Sequence, residues 1–314
     1  MINILAYTDG KPASLKALAF AAQLHRRLAG ELAVITVRSH TPATEEPPPV
    51  GVDFPLEERD RLSAGLQRLA AAVDLLVEQK VLDEPSDVVI RDIPRGHIFV
   101  CKTPGGQRIP FYEIFGDFVE SLNHEIDRHQ YDLLVIAPPR SMSLKRLVTG
   151  DTTRKLALNL HSSILVVRGG HADSRYIVCT DESPSARRQF PLLRKILLAI
   201  TRPIDLLYIK QPSAEAEQIL TARDCLQHAV RWLETCDKNG SLYESESDNP
   251  AEVIIDTAGE DAVIVMGASL RHHVYRMVRG SLPMQVLDRT AASVLLVKLP
   301  PEADVDFFKD PFEC

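Results

Sequence analysis

Apolar residues in this chain fall into short unbroken runs that alternate with longer stretches where they recur every three or four positions. The runs at residues 4–7, 32–37, 133–136 and 164–167 read as strands apolar on both faces. Between them, Leu15, Leu18, Ala19 and Ala22 mark one face of a helix. Leu62, Leu66, Leu69 and Val73 do the same within a predicted helix over 56–79, and further helices are expected at 115–129 and 152–160. Strands that alternate with helices need right-handed crossovers and build a parallel sheet covered on both sides. The fold class is therefore α/β, doubly wound.

The pattern occurs twice. Residues 132–168, shifted by 130, lie without a gap over residues 262–298. Leu133 falls on Val263, Val135 on Val265, Leu144 on Val274, Leu147 on Met277 and Gly150 on Gly280. The openings match at a shift of 172, with Asp9 on Asp181, so the first copy carries a net insertion of 42 residues. Two tandem copies of one domain explain this self-similarity. Gly169, Gly170, His171, Ala172, Asp173 and Ser174 form a short polar linker. The expected domains are 1–170 and 174–300, with an acidic tail at 301–314. Within the insertion, at about 40–115, a proline-rich acidic loop precedes two short strands around Thr103-Pro104-Gly105-Gly106, a hairpin signal. The insertion carries no recognisable chemistry and reads as a lid or contact surface.

Composition narrows the function. Of 314 residues, 45% are apolar and 25% charged, with 36 basic against 43 acidic residues and a formal net charge of −7. So mild an acidic balance argues against a nucleic-acid binder, which needs a basic face, and against attachment to anionic membranes. The five cysteines are odd in number and have no close pair, which fits a reducing compartment. No stretch approaches the roughly 20 apolar residues of a membrane span, and the N-terminus has no signal-peptide pattern. A cytoplasmic protein is expected.

Candidate chemistry gathers in the second copy. A strand at 262–266 delivers Gly267 at its carboxyl end, and Gly280-Ser281 opens the helix that follows. Asp181 ends the first strand on the same sheet edge. In open parallel sheets the ligand crevice lies outside the carboxyl ends of the strands. A helix start with glycine and a hydroxyl favours an anion, and the carboxylate suits a ribose or base. Taken alone, Gly280-Ser281 reads as a helix cap. Together the three elements point to a nucleotide phosphate site.

On these residues the sequence resembles the universal stress protein family. That family's fingerprint is a glycine, a second glycine three positions on, nine residues, then Gly-Ser or Gly-Thr. Gly267, Gly280 and Ser281 keep the spacing, and Leu270 stands where the second glycine belongs. The resemblance implies an adenine-nucleotide α-hydrolase-like fold with about five strands per domain, pairing of the domains through their last strands as a pseudo-two-fold pair inside one chain, and binding of ATP or another adenine nucleotide, with or without Mg2+. Carried over, Asp181 contacts the adenosine moiety, Ile209 lies near the base, Met266 and Gly267 line the pocket, and Gly280, Ser281 and Leu282 hold phosphate. Leu270 restricts φ and adds bulk there.

The first copy has lost most of this fingerprint. Asp9 remains at the strand end, but Ala137 and Arg140 replace the two glycines, and Asp151 follows Gly150 and repels phosphate. That site is expected to be degenerate. No catalytic triad, metal or P-loop string appears. His272 and His273 are adjacent and diverge on any regular element. The leading expectation is a tandem stress-response module that binds adenine nucleotide in its second domain, with slow hydrolysis at most. The alternatives are a nucleotide-free module for an unidentified protein partner and an enzyme of the wider superfold.

Overall fold

In the computed structural model the described residues are 1–28, 30–39, 47–85, 87–138, 150–160, 162–180, 195–196, 200–210, 212, 216–235, 238, 240–267 and 281–298. The chain divides into two compact units, Met1–Ser143 and Leu144–Cys314.

The first unit runs β1 (Ile4–Tyr7), α1 (Pro12–His25), β2 (Leu32–Arg38), β3 (Asp53–Pro55), α2 (Ala64–Glu78), β4 (Asp87–Val89), β5 (Arg91–Ile93), β6 (Gly96–Lys102), β7 (Arg108–Phe115), α3 (Phe118–His129) and β8 (Leu133–Ile136). Its sheet has the order β8-β1-β2-β7-β6-β5. The first four strands are mutually parallel, while β5 and β6 run antiparallel to their neighbours. β3 and β4 form a separate antiparallel ribbon. Strands β1, β2 and β8 are buried along almost their whole length, as their unbroken apolar runs require.

Two sequence expectations are corrected here. The helix expected over 56–79 is a 3-10 turn, Leu56–Arg61, followed by α2. Ser63 breaks it: its Oγ accepts the Leu66 N–H at 3.2 Å and donates to the buried Glu113 carboxylate at 2.8 Å. The helix expected from 115 begins at Phe118, because Phe115 ends β7 and Asp117 Oδ1 caps the Val119 and Glu120 N–H groups, both at 3.0 Å. The expected hairpin is β6–β7, closed by Gly106 N–H donating to Thr103 O. Of its two strands, β7 is the sheet's own parallel strand beside β2, and the inserted β5–β6 lies over its outer edge.

A polar cluster fixes that cover. Glu113 on β7 is fully buried and accepts from Arg38 at 3.0 Å and from Ser63, with His97 Nδ1 of β6 at 2.8 Å. Burial works to raise its carboxyl pKa, but the bonds from His97, Ser63 and Arg38 outweigh burial and hold it below the usual carboxylate range. Gly65 permits this approach, since a Cβ there would lie 2.0 Å from Glu113 Oε1.

The second unit runs α4 (Gly150–Asn159), β9 (Ser163–Val166), β10 (Tyr176–Cys179), β11 (Ile204–Lys210), α5 (Ala216–Thr235), β12 (Leu242–Glu246), α6 (Pro250–Ala258), β13 (Val263–Gly267), α7 (Leu282–Arg289) and β14 (Ser293–Val297). Its sheet order is β12-β11-β10-β13-β14-β9. The strands from β12 to β14 are parallel. The repeat read from the sequence reappears as register. Ile4 pairs with Leu32 and Leu133 in the first unit; Tyr176, 172 residues on, pairs with Ile204 and Val263 in the second. β7 beside β2 corresponds to β12 beside β11.

The two strands identified as closing strands pair with each other. β9 runs antiparallel to β14, with Ile164 opposite Leu296 and Val166 opposite Val294. The four side chains Val294, Leu295, Leu296 and Val297 are each at most 2% exposed, and each contributes roughly 1.5–3 kcal/mol on burial. Ser163 Oγ exchanges hydrogen bonds with the Lys298 main chain, and Ser293 Oγ accepts from Arg168 N–H and donates to Gly169 O. Arg168 Nη2 donates to Leu287 O in the last turn of α7, and Lys298 Nζ donates to Leu160 O just past α4, both at 2.7 Å. Each cation thus answers a carbonyl at a helix C-terminus, where such groups lack intrahelical donors.

Candidate functional site

In the second unit β10 lies between β11 and β13, and the chain leaves it toward β11 on one side while β13 continues to β14 on the other. That is the topological switch point, and in doubly wound sheets ligands bind beyond the carboxyl ends of the strands at such a point. Met266 and Gly267 end β13, and Ile209 stands next to last on β11. Strands lie about 4.8 Å apart, so Ile209 and Gly267, with β10 between them, bracket roughly 10 Å of edge. Met266 is buried and Gly267 and Ile209 are half-buried.

Ser281 is the N-cap of α7, followed by Leu282 and Pro283 at its start. Its main-chain carbonyl accepts from Met284 and Gln285 N–H, while its hydroxyl makes no capping bond. The plain helix-cap reading of this serine is therefore incomplete: the hydroxyl is not engaged by its own helix. Asp181, Leu270 and Gly280 lie outside the described residues, as do Arg271, His272 and His273.

Thr180, which sequence reasoning passed over, sits at the carboxyl end of β10. Its N–H donates to Leu207 O at 3.1 Å, and its Oγ1 is buried with no hydrogen-bond partner among the described residues. Leaving a buried hydroxyl unpaired costs about 1–3 kcal/mol, so a polar ligand in this crevice fits the residues present. The signal was available in the repeat, since Thr180 is the counterpart of Thr8.

At the matching edge of the first unit the polar groups satisfy one another. Asp9 Oδ1 accepts from Ser14 Oγ at 2.6 Å and Lys11 N–H at 3.1 Å, and Lys11 Nζ lies 3.3 Å from Oδ2. Thr8 Oγ1 accepts from Gly10 N–H and meets Ser14 Oγ, both at 3.1 Å. Gly10, at φ +76, makes the turn that brings these groups together. Burial works to raise the Asp9 carboxyl, but the bonds from Ser14 and Lys11 outweigh it and hold it below its ordinary value. Burial and the Asp9 charge push the neighbouring Tyr7 hydroxyl up to about 12. Ala137 follows β8 and is buried, while Gly150 and Asp151 open α4. Arg140 lies outside the described residues.

A cavity of about 640 Å³ opens at the other end of the second sheet, among Gly170, Arg175, Arg202, Asp205 and Asp261. It lies at the amino ends of the strands, where doubly wound folds do not place their ligands. Arg175 there is engaged by the Asp205 carboxylate, by Thr257 O at 3.2 Å and by the Tyr243 ring. Among the described residues no group of three or more His, Cys, Asp or Glu residues is arranged to hold a metal ion. Burial pushes the Cys101 thiol up to about 12, which leaves it protonated and unreactive at neutral pH. Among the described residues no helix is long and apolar enough to cross a membrane.

Among solved structures, a universal stress protein from Archaeoglobus fulgidus is similar over 96% of this chain and 97% of its own, with a TM-score of 0.58 and 14% identity. A putative universal stress protein from Pseudomonas aeruginosa matches over 94% of this chain and 92% of its own, with a TM-score of 0.58 and 13% identity. The protein PA1789 from Pseudomonas aeruginosa, described as functionally unknown, matches over the same shares with a TM-score of 0.57 and 14% identity. At such identities the likeness speaks for the fold, a tandem α/β architecture along nearly the whole chain. A search of curated proteins finds no match by sequence. The sequence model of the universal stress protein family matches residues 1–168, more than half of the chain. With the doubled register, the switch-point crevice and the closing-strand pair already in place, that match identifies the chain as a member of the universal stress protein family.

Proposed function

We propose that the second unit binds one adenine nucleotide at the carboxyl ends of β10, β11 and β13 and acts as a regulatory module of the stress response. The observation that carries this reading is the strand-end arrangement, in which Thr180, whose buried hydroxyl has no partner among the described residues, follows β10 beside the end of β13 at Met266 and Gly267. Ile209 supplies an apolar wall for a base, and Ser281 and the Leu282 N–H offer donors to phosphate at a helix N-terminus. By the family resemblance, Asp181, adjoining Thr180 in sequence, supplies a carboxylate for the ribose, and Gly280, adjoining Ser281, belongs to the phosphate-binding loop. Leu270 stands in sequence where the family fingerprint has its second glycine, and its added bulk favours a small nucleotide over an extended one. The first unit contributes no second site, since Asp9 is held by Lys11 and Ser14 and Asp151 repels phosphate.

Nucleotide held this way is bound rather than consumed. Fast phosphoryl transfer needs a group that orients the attacking water and cations placed on the transferring oxygens. N–H groups, the Ser281 hydroxyl and, from the sequence, Arg271, His272 or His273 bind ground state and transition state alike, which does not raise the rate. Isothermal titration with ATP and with AMP, each with Mg2+, tests the reading. One site per chain is expected, lost in Gly280→Asp and weakened in Thr180→Val. Two sites per chain, no binding, or binding indifferent to both substitutions overturns it.

A further inference from the structure

β12 is an edge strand whose counterpart in the first unit is covered. The register equates Leu242 with Phe111, Tyr243 with Tyr112, Glu244 with Glu113 and Lys210 with Arg38. In the first unit β6 pairs antiparallel with β7, setting His97 opposite Glu113 and Phe99 opposite Phe111. There Phe99 stacks on Phe111 with centroids 4.9 Å apart, and His97 meets the Glu113 carboxylate. Phe111 and Glu113 are both 0% exposed and Tyr112 is 7% exposed. In the second unit Leu242 is 42% exposed, Tyr243 is 41% exposed and Glu244 is exposed.

The backbone repeats the same contrast. Ser247 N–H donates to Lys210 O, as Gly116 N–H does to Arg38 O, and Ser241 O accepts from Leu206 N–H. Residues 241, 243, 245 and 247 therefore face β11, so Leu242, Glu244 and Glu246 turn their N–H and C=O groups outward. In the first unit the equivalent outward donor, Phe115 N–H, bonds Arg95 O. Among the described residues no strand meets the outer edge of β12. Lys210 pairs with Glu246 at 3.0 Å, and Glu244 has no ion pair among the described residues.

We infer that β12 is a docking edge for an extended segment of a partner protein, which adds antiparallel and carries His, Lys or Arg two residues before an aromatic side chain. The cation lies opposite Glu244 and the aromatic opposite Leu242, as His97 and Phe99 lie opposite Glu113 and Phe111. Exposed edges recruit strands through main-chain bonds, and side chains on alternate positions set the choice of partner. A second copy of β12 is a poor occupant: in the antiparallel register that overlaps Leu242–Glu246 fully, Glu244 falls against Glu244, and like charges directly opposed are unfavourable.

The probe is a fluorescent peptide of residues 95–102 with Cys101→Ser, titrated with the full chain and read by polarisation. Saturable one-to-one binding is expected, weakened at least about tenfold by Glu244→Lys and by Glu244→Pro. The proline removes only an outward N–H, which edge strands tolerate, so an unchanged circular dichroism spectrum accompanies the loss. These variants separate β12 from β7, where the same peptide could only replace native β6. Absence of saturable binding, equal binding by a scrambled peptide, or binding unaffected by both substitutions overturns the inference. So does self-association of the chain that Glu244→Pro abolishes, which would make the occupant a second copy. Nucleotide titration of Glu244→Pro is expected to match the parent, keeping this outcome separate from that of the proposed nucleotide site.

Discussion

Replacing Lys298 with methionine turns the β9–β14 seam into a pH experiment. The side chain is 4% exposed, and its Nζ has the Leu160 carbonyl, at 2.7 Å, as its acceptor. Burial brings the ammonium down from 10.5 to about 8. In the folded chain the proton leaves near pH 8, while in the unfolded chain it stays until about 10.5. Between those values the unfolded state binds more protons, so stability rises with pH. Below pH 8 the buried charge lowers stability by its full amount; above 10.5 that penalty is gone. At about 1.4 kcal/mol for each tenfold change, the relief is about 3 kcal/mol. Lys298→Met removes the titration and also the bond to Leu160 O, worth about 1 kcal/mol. The variant is therefore expected to be more stable than the parent at pH 7 and less stable at pH 10.5. Urea unfolding of both proteins across pH 7–10.5 reads the difference, in which the shared titrations of Tyr7 and Cys101 cancel. Parallel stability curves, with no closing of the gap above pH 8, refute the reasoning.

Two further outcomes concern the first unit. Asp9→Ala removes the acceptor for Lys11 N–H and Ser14 Oγ and is expected to cost about 1 kcal/mol at neutral pH. Because the folded-state carboxyl lies below its ordinary value, that contribution fades as pH falls through it; hydrogen exchange in α1 at two pH values measures this. Gly65→Ala places a methyl group against the Glu113 carboxylate and is expected to cost more than about 2 kcal/mol, whereas Ala at the open Gly51 or Gly106 meets no atom within 4 Å and registers only the strain of its positive φ in thermal unfolding.

Much of this fold was legible because its strands are buried on both faces. Runs such as 4–7 and 133–136 have no polar residue to blur them, and β1 and β8 span those residues. What local periodicity hid was set by distant partners. Ser63 looks like one more helical position until Glu113, fifty residues away, takes its hydroxyl. β7 looked like half of an inserted hairpin because its membership of the sheet depends on β2. The candidate site was legible where glycine marks a strand end, at Gly267. It was not legible at Thr180, whose interest lies in a buried hydroxyl without a partner among the described residues. Asp9 and Asp181 look alike in sequence, yet Asp9 is taken up by its own turn, which only the geometry of Ser14 and Lys11 reveals.

The seam built by Ser163, Arg168, Ser293 and Lys298 also bears on how such a chain can change by mutation. In a two-fold dimer of identical subunits every substitution at the contact appears twice, so one harmful change strikes both halves together. Here the corresponding positions are encoded separately, and they have already parted: arginine stands at 168 and lysine at 298, each reaching a different helix end. A single codon change alters one side of the seam and leaves the other to hold the closing strands together. The same separation extends to the strand ends, where alanine stands at 137 and glycine at 267. Each half is then free to diverge without the other, a freedom closed to a symmetric pair.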